Sequence, residues 1–352
     1  MTPKKVDVLG WYGRHNVGDD AFYLMFSGAL RGHDVHFITP PNKTRSDADL
    51  VILGGGAVAN SYYLNCITPL THGKCLALGI DVEWEKEAEA LFSYGFDHVV
   101  FRDKSDYVLY VRDVEQKCAV DVDVVSYCPD LAFSLKHLPN TFVPRYRKTD
   151  KLRAIAVMAT DYVMPARDRD LYYCGPRADQ FAQGLGAVLD KLSEKVEVIL
   201  LPCSTGEYGD DRRINYHIAS FMRHPPTIVT DRLGPKQMID TISTCQATVC
   251  MRFHAHVFSL IAGVPFASIE FTKKARTLVA DFQTKTNRPL TAVIKKEDGF
   301  FDFDYALENI NSALDAGTRN TERTLSLDYV QSCRERVDTM MEQVLRRYLI
   351  AV

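Results

Sequence analysis

Short apolar runs alternate with helix-like segments along the first 140 residues. Each run is rich in β-branched residues and has the length of a strand buried on both faces. The runs are 6–9, 35–38, 50–53, 75–78 and 99–101. Between several of them, as in 20–30 and 105–111, apolar residues recur with helical spacing. This alternation predicts a parallel sheet with helices on both sides, which is a doubly wound α/β domain.

A second series of the same kind follows a polar interruption. The segment 140–151 is basic, contains Pro144 and has no apolar periodicity, so it predicts a linker between domains. Beyond it, predicted strands alternate with predicted helices; the strands are 154–159, 196–201, 227–229 and 247–251, and the helices are 181–192, 214–222 and 235–242. Apolar residues at helical spacing over 327–349 predict a terminal helix. The expected division is 1–140, 151–326 and 327–352.

Length and composition agree with two globular domains. The 352 residues carry 42 Lys and Arg against 45 Asp and Glu, with 46% hydrophobic and 25% charged residues. These ordinary proportions exclude collagenous and disordered chains, and there is no basic excess of the kind that a nucleic-acid-coating protein needs. Nine scattered cysteines without a C-x-x-C pair predict reduced thiols in a cytoplasmic protein. The longest apolar run, 257–269, is too short for a membrane span, and none is expected.

Two glycine turns follow predicted strands. Gly10 to Asp20 lies between the first strand and the first helix, where glycines and unpaired N–H groups suit an anion or a polar ligand. Capping of the helix by Asp19 explains the same residues about equally well. Gly54 to Gly56 follow a buried strand, at the sheet edge where ligands bind in α/β proteins. No His/Asp cluster accompanies Asp19 and Asp20, so no metal is expected.

The most informative segment is 250–265. A strand end presents Arg252 and His254, and an apolar helix then runs to a Gly-Val-Pro turn; Lys273 and Lys274 follow the next strand. Arginine clamps a carboxylate or phosphate with two parallel hydrogen bonds, lysine supplies a mobile charge, and histidine can donate a proton near neutral pH. On the apolar helix itself, His256 is expected to be a packing residue.

At these residues the sequence resembles the polysaccharide pyruvyl transferase family. The matching motifs occur in order along most of the chain; they are Tyr12, Gly13, Asn16, Gly18 and Asp19, then Gly54 to Gly56, Arg102, Asp103 and Ser105, Pro129, Asp130, Ala132 and Phe133, Arg252 to His254, Gly263 to Pro265, and Lys274. Singly each match is weak, and together they are fairly specific.

The resemblance implies a GT-B-like architecture: two Rossmann-like doubly wound domains that face each other across a cleft, with a C-terminal helix that packs back on the first. It also implies transfer of pyruvate from phosphoenolpyruvate to two hydroxyls of a sugar, which gives a cyclic ketal and phosphate. The expected partners are thus phosphoenolpyruvate and a sugar or glycan acceptor. No metal or organic cofactor is needed.

The same resemblance assigns roles to individual residues. His254 is the expected general acid. The expected donor site consists of Arg252, Lys274, Arg102, Gly55 and Gly56. In the N-terminal domain, the expected acceptor side, Asp19 orients or deprotonates a hydroxyl, and Asn16 and Asp20 bind the acceptor.

Two alternatives stay open at the level of sequence. One is a GT-B glycosyltransferase with a nucleotide-sugar donor, because the same fold and the same cations can bind a diphosphate. The other is a non-catalytic glycan-binding member of the family. The sequence also departs from the family at 79–85, where Asp81, Glu83 and Glu85 replace an expected glycine-rich turn. The acceptor sugar and the oligomeric state are not predicted.

Overall fold

A computed structural model of the chain describes residues 2–82, 85–108, 110, 124–136, 146, 153–160, 176–207, 209–269, 272–286, 296–297, 300–317 and 320–350. The chain divides into two compact units. Unit 1 consists of Met1–Arg14, Gly18–Leu135 and Gln331–Val352, and unit 2 consists of His15–Val17 and Lys136–Val330. The predicted linker at 140–151 lies outside the described residues except for Tyr146, and the domain boundaries drawn from the sequence stay a prediction.

Unit 1 contains a six-stranded parallel sheet. Its strands are β1 (Lys5–Leu9), β2 (Asp34–Ile38), β3 (Leu50–Gly56), β4 (Lys74–Ile80), β5 (His98–Phe101) and β6 (Val125–Tyr127). They lie side by side in the order β2-β1-β3-β4-β5-β6, and every neighbouring pair is parallel. Every residue of β3 is buried, as expected for a strand covered on both faces.

The helices of unit 1 begin at the carboxyl ends of these strands. They are α1 (Val17–Ala29), α2 (Ser61–Leu64) and α3 (Glu85–Tyr94), followed by a short 3₁₀ helix at Leu131–Ser134. The chain leaves β1 toward β2 and returns to form β3 on the other side of β1. This reversal makes the β1/β3 junction the topological switch point, where α/β sheets of this kind bind ligands.

Unit 2 contains a five-stranded parallel sheet of a different order. The strands of unit 2 are β7 (Ala154–Met158), β8 (Glu197–Leu200), β9 (Thr205–Gly206), β10 (Gly209–Asp210), β11 (Thr227–Ile228), β12 (Ala247–Cys250), β13 (Phe266–Ser268), β14 (Lys296–Glu297) and β15 (Phe300–Phe301). The sheet runs β11-β8-β7-β12-β13, while β9–β10 and β14–β15 are antiparallel pairs. Its switch point lies between β7 and β12.

Helices pack on this sheet to form the core of unit 2. They are α4 (Pro176–Ser193), α5 (Asp211–Ser220), α6 (Pro235–Ser243), α7 (Phe253–Ala262), α8 (Lys273–Thr286) and α9 (Phe303–Ala316). Apolar side chains from the sheet and from α4, α5 and α9 form one continuous cluster. The helix predicted over 214–222 begins three residues earlier, because Asp210 accepts a hydrogen bond from the Arg212 N–H and caps it.

The last helix, α10 (Asn320–Leu345), continues as a π-helical segment, Arg346–Ile350. It begins seven residues before the predicted start at Leu327, since the polar residues of its first turns give no apolar period. Its residues from Gln331 onward belong to unit 1. There Arg334 donates to the carbonyl oxygens of Phe133 (3.2 Å) and Leu135 (3.1 Å).

Two further observations concern the whole described chain. Its described cysteines are buried; they are Cys66, Cys75, Cys128, Cys203, Cys245, Cys250 and Cys333. Within the ranges given above, none of the helices combines the length and the apolar character needed to cross a membrane.

Candidate functional site

The switch point of the unit 2 sheet presents Arg252 and His254. Strand β12 ends at Cys250, and α7 begins at Phe253. Arg252 is therefore the residue before the helix, and His254 lies in its first turn. The sequence prediction that a strand end presents these two side chains is confirmed. Because β12 flanks the point where the strand order reverses, both residues lie at the edge where α/β sheets bind ligands.

Arg252 is held by a buried carboxylate. Its Nε donates to Oδ2 of Asp211 (2.8 Å) and its Nη2 donates to Oδ1 (2.6 Å), which is the two-bond geometry of a strong Arg–carboxylate pair. Asp211 is 0% exposed, whereas the Arg252 side chain is 17% exposed. This pair fixes the plane of the Arg252 guanidinium, whose Nε–Nη2 edge faces Asp211.

Asp211 is in turn fixed by the backbone. Its Oδ2 accepts hydrogen bonds from the N–H groups of Cys203 (3.1 Å) and Ser204 (2.9 Å), in the segment that follows β8. The sequence analysis missed Asp211 as a partner of Arg252. The only local signal was the pair of aspartates, Asp210 and Asp211, directly before the predicted helix.

His254 lies between aromatic rings and is partly exposed. Its ring centroid is 5.2 Å from that of Phe253 and 5.9 Å from that of Phe258. The ring of Phe253 meets the His254 ring edge-on. These contacts restrict the imidazole to one region of the sheet edge.

His256 is a structural residue, as the sequence favours. Its Nδ1 donates to the Arg252 carbonyl oxygen (2.9 Å), because a carbonyl can only accept. In the neutral imidazole its Nε2 accepts from the Ser268 hydroxyl (2.7 Å). Complete burial lowers the pKa of His256 to about 4. His256 thus connects the start of α7 with β13, and as a neutral imidazole near pH 7 it is not suited to be the general acid.

Lys274 lies in the first turn of α8, which follows β13. Strand β13 is the parallel neighbour of β12, so Lys274 and Arg252 follow adjacent strands at the same edge. Lys273 and Lys274 place two positive charges where the helix dipole is already positive.

The glycine turn of unit 1 is explained by packing. Gly55 has φ 71°, and a Cβ placed on it would lie 2.2 Å from Cδ2 of Phe22 in α1. Gly56 has φ 96°, and a Cβ there would lie 3.4 Å from Oδ1 of Asp19. The positive φ favours glycine at both positions, and at Gly55 the close approach of Phe22 on α1 leaves no room for a Cβ. The predicted contact of Gly55 and Gly56 with a donor stays a prediction.

The predicted acceptor residues are divided between the units. Asp19 and Asp20 are in the first turn of α1, in unit 1. Oδ1 of Asp20 accepts the N–H of Gly13 (2.9 Å) and closes the turn after β1. Asn16 belongs to unit 2, where it forms an isolated antiparallel bridge with Ser204. Their roles toward an acceptor stay predictions.

Arg102 lies in unit 1 and is buried between two carboxylates. Its Nη1 donates to Asp130 (2.9 Å) and its Nη2 donates to Asp81 (2.8 Å), and all three side chains are almost fully buried. Burial alone would lower the pKa of Arg102, but the two carboxylates raise it overall. Asp81, which departs from the family pattern, thus balances the charge of Arg102.

No group of three or more His, Cys, Asp or Glu side chains that could hold a metal ion occurs among the residues that the structure describes. Arg252, His254 and Lys274, which lie in unit 2, and Asp19, which lies in unit 1, stay predicted site residues.

A family model described as polysaccharide pyruvyl transferase matches residues 14–271, more than half of the chain. The chain belongs to the polysaccharide pyruvyl transferase family. The match includes Arg252, His254 and Asp19, and it ends three residues before Lys274. It supports a transferase of polysaccharide biosynthesis. No curated protein sequence matches the chain.

Solved structures of known proteins share the fold along nearly the whole chain. An α,α-trehalose-phosphate synthase (UDP-forming) from Burkholderia vietnamiensis is 10% identical, with a TM-score of 0.58 over 100% of this chain and 98% of that one. A Listeria monocytogenes protein described as a UDP-N-acetylglucosamine 2-epimerase is 7% identical, with a TM-score of 0.62 over 99% and 97%. A Neisseria meningitidis UDP-GlcNAc 2-epimerase bound to UDP-GlcNAc is 9% identical, with a TM-score of 0.60 over 97% and 99%.

These likenesses show the fold alone, because the identities are so low. The prediction of fold class is confirmed. This chain has a GT-B-like α/β fold with two parallel sheets and a C-terminal helix.

Proposed function

We propose that this member of the family transfers the pyruvyl group of phosphoenolpyruvate to two hydroxyls of one sugar residue in a glycan. The products are a cyclic ketal and inorganic phosphate. The observation that supports the proposal most directly is the position of Arg252 and His254, which match the family motif and lie at the switch point of the unit 2 sheet. The cytoplasmic location expected from the sequence belongs to the same proposal.

The donor carries a carboxylate and a phosphate, so its site needs fixed positive charges. Arg252 and Lys274 follow adjacent parallel strands and supply such charges at one sheet edge. Asp211 holds the Nε–Nη2 edge of Arg252, so the donor meets the Nη1 side of the guanidinium. A fixed guanidinium loses less side-chain entropy when the donor binds.

His254 is the general acid of the proposed reaction. Its imidazolium protonates C3, the methylene carbon of phosphoenolpyruvate, and an oxocarbenium-like centre develops at C2. One sugar hydroxyl attacks C2, the C–O bond to phosphate breaks, and the second hydroxyl closes the ring. Of the two hydroxyl protons, one replaces the proton that His254 gave to C3 and the other leaves on hydrogen phosphate, so atoms and charge balance.

Asp19 is the proposed proton acceptor for the attacking hydroxyl, and it passes that proton on to the departing phosphate, so that it is ionised again at the end of the turnover. It belongs to the first turn of α1, beside Gly56 and near the switch point of the unit 1 sheet. A contact between Arg102 and the donor stays a prediction; in the structure Asp81 and Asp130 already balance its charge.

Thermal stability with and without phosphoenolpyruvate tests the donor assignment. A ligand that binds only the folded protein at about 100 times its Kd adds about 2.7 kcal/mol of stability. We expect Lys274→Ala and Arg252→Lys to lose this stabilisation; the lysine keeps a charge beside Asp211 but cannot form the two-bond pair. Lys273→Ala is the matched control and should keep most of it.

Turnover tests the role of His254. We expect His254→Gln to bind phosphoenolpyruvate and to lose phosphate release and ketal formation, measured by mass spectrometry with a panel of glycans. Stabilisation by a nucleotide sugar and not by phosphoenolpyruvate would replace the proposal with glycosyl transfer. Glycan binding without any donor would leave a non-catalytic family member.

A further inference from the structure

Three aromatic side chains cluster in unit 1. We call Trp11, Tyr62 and Tyr63 the aromatic cluster. The ring centroids of Trp11 lie 6.4 Å from Tyr62 and 6.5 Å from Tyr63, and those of Tyr62 and Tyr63 lie 5.4 Å apart. The interplanar angles are 56°, 76° and 88°, so the rings form an angled surface instead of a flat stack.

The chain topology places this cluster at the switch point of the unit 1 sheet. Trp11 is the second residue after β1, and Tyr62 and Tyr63 belong to α2, which follows β3. Asn60 starts α2 by accepting the N–H of Tyr62 (3.1 Å). Because β1 and β3 are the strands that flank the reversal, the cluster lies where this class of sheet binds ligands.

The cluster is only partly covered. Tyr62 is 50% exposed and Trp11 is partly exposed, while Tyr63 is 8% exposed. An exposed tyrosine is ordinary in isolation, but contiguous aromatic rings at a ligand-binding edge are typical of a binding surface.

Polar groups border the cluster. The guanidinium of Arg14 lies 5.3 Å from the centre of the Trp11 ring. Asp19, beside Gly56, is close enough to Tyr63 that its negative charge adds to burial in raising the pKa of that tyrosine. A ligand on the rings would therefore meet one cation and one carboxylate at its rim.

We infer that the aromatic cluster binds the pyranose ring of the acceptor sugar, with Tyr62 as the principal contact. A pyranose has a face of C–H groups, which pack on aromatic rings, and a rim of hydroxyls, which bond to carboxylates and guanidinium groups. This inference rests on the proposed function, since it places an acceptor hydroxyl beside Asp19.

The carboxylate favours a sugar over a nucleotide at this surface. A nucleotide base would also stack on aromatic rings, but its phosphates would approach Asp19 and be repelled. A neutral sugar hydroxyl instead donates a hydrogen bond to that carboxylate.

Saturation-transfer difference NMR tests the inference without any donor. The probes are methyl pyranosides of glucose, galactose, mannose, N-acetylglucosamine, N-acetylmannosamine and glucuronic acid, with the full-length protein. We expect at least one glycoside to receive saturation, and Tyr62→Ala to weaken its binding about tenfold. Tyr62→Phe keeps the ring and should restore binding to within about twofold of the original.

Tyr216→Ala is the matched control, because Tyr216 is 53% exposed and lies on α5 of unit 2. It should bind the glycoside as the unaltered protein does. A second measurement uses Trp84→Phe, which leaves Trp11 as the only tryptophan. Addition of the glycoside should shift the emission of Trp11.

Two results would overturn the inference: no glycoside receives saturation, or Tyr62→Ala binds the glycoside as well as Tyr62→Phe does. Failure of the proposed function is a separate result. If the proposed function is wrong, phosphoenolpyruvate does not raise the thermal stability of the unaltered protein. If only this inference is wrong, phosphoenolpyruvate still raises it.

Discussion

Replacement of Asp211 by asparagine tests the claim that a buried carboxylate orients Arg252. The substitution keeps the shape of the side chain and removes its charge. In the structure, Asp211 accepts four hydrogen bonds, two from Arg252 and two from backbone N–H groups. Asparagine has one oxygen, so its NH₂ group must face either the guanidinium or those N–H donors.

The expected cost follows from burial. Asp211 is 0% exposed, and removal of one partner from a buried ion pair costs about 3–5 kcal/mol. With an m-value of about 3 kcal/mol/M, the urea midpoint of the transition that includes unit 2 should fall by about 1–2 M. Both tryptophans, Trp11 and Trp84, belong to unit 1, so far-UV circular dichroism is the appropriate measurement for the helices of unit 2.

Two controls separate the ion pair from the loss of a charge. Asp302→Asn is the matched variant in unit 2: Asp302 is exposed and caps α9 through the Tyr305 N–H (2.9 Å), and asparagine caps equally well. It should change stability by less than about 0.5 kcal/mol. The double variant of Asp211→Asn with Arg252→Met should be less unstable than the sum of the single variants, because it leaves no unpaired charge. Additive costs, or equal costs for Asp211→Asn and Asp302→Asn, would refute the reasoning.

Three further predictions concern other parts of the structure. Gly55→Ala should destabilise unit 1 by at least about 2 kcal/mol more than Gly13→Ala in tryptophan-monitored unfolding, since both have positive φ but only a Cβ at Gly55 overlaps Phe22; equal costs would remove the steric argument. The pKa of His256 is about 6.5 in the unfolded chain and about 4 in the folded chain. Between these pH values the unfolded state binds more protons than the folded state. The free energy of unfolding therefore falls as the pH drops through this range, by up to about 3 kcal/mol. His256→Asn should flatten this part of the stability profile measured in urea at pH 7 and pH 5, and an unchanged profile would contradict the assignment. Arg334→Met should cost about 2 kcal/mol of unit 1 stability by removing the bonds to two carbonyls, whereas Arg346→Met removes only an exposed pair with Glu342 and should cost less than about 0.5 kcal/mol.

The strands and the family motifs were legible in the sequence because their signals are local. Buried parallel strands are short β-branched runs, and the glycine turns and the Arg-Phe-His segment are adjacent residues. The sequence therefore predicted the two α/β sheets and the position of Arg252 and His254 at a strand end, which the structure confirms. It also predicted the packing role of His256.

The partners of these residues were not predictable from local pattern. Asp211 is 41 positions from Arg252 in the chain, and Asp81 and Asp130 are 21 and 28 positions from Arg102. Only the folded sheet brings each pair together, so neither these carboxylate partners nor the aromatic cluster stood out in the sequence. The start of α10 was missed for another reason, since its first turns are polar and carry no hydrophobic period.

The division of unit 1 between the two ends of the chain has a consequence for synthesis on the ribosome. Gln331–Val352 emerge after all of unit 2, yet Arg334 donates to the carbonyl oxygens of Phe133 and Leu135, and Tyr348 donates to the Asp97 carbonyl oxygen (2.8 Å). At about 5–20 residues per second, translation from Leu135 to Val352 takes about 10–40 s. During that interval β5 and the segment after β6 lack their contacts with the C-terminal helical segment. Unit 1 can therefore finish folding only after unit 2 has been synthesised.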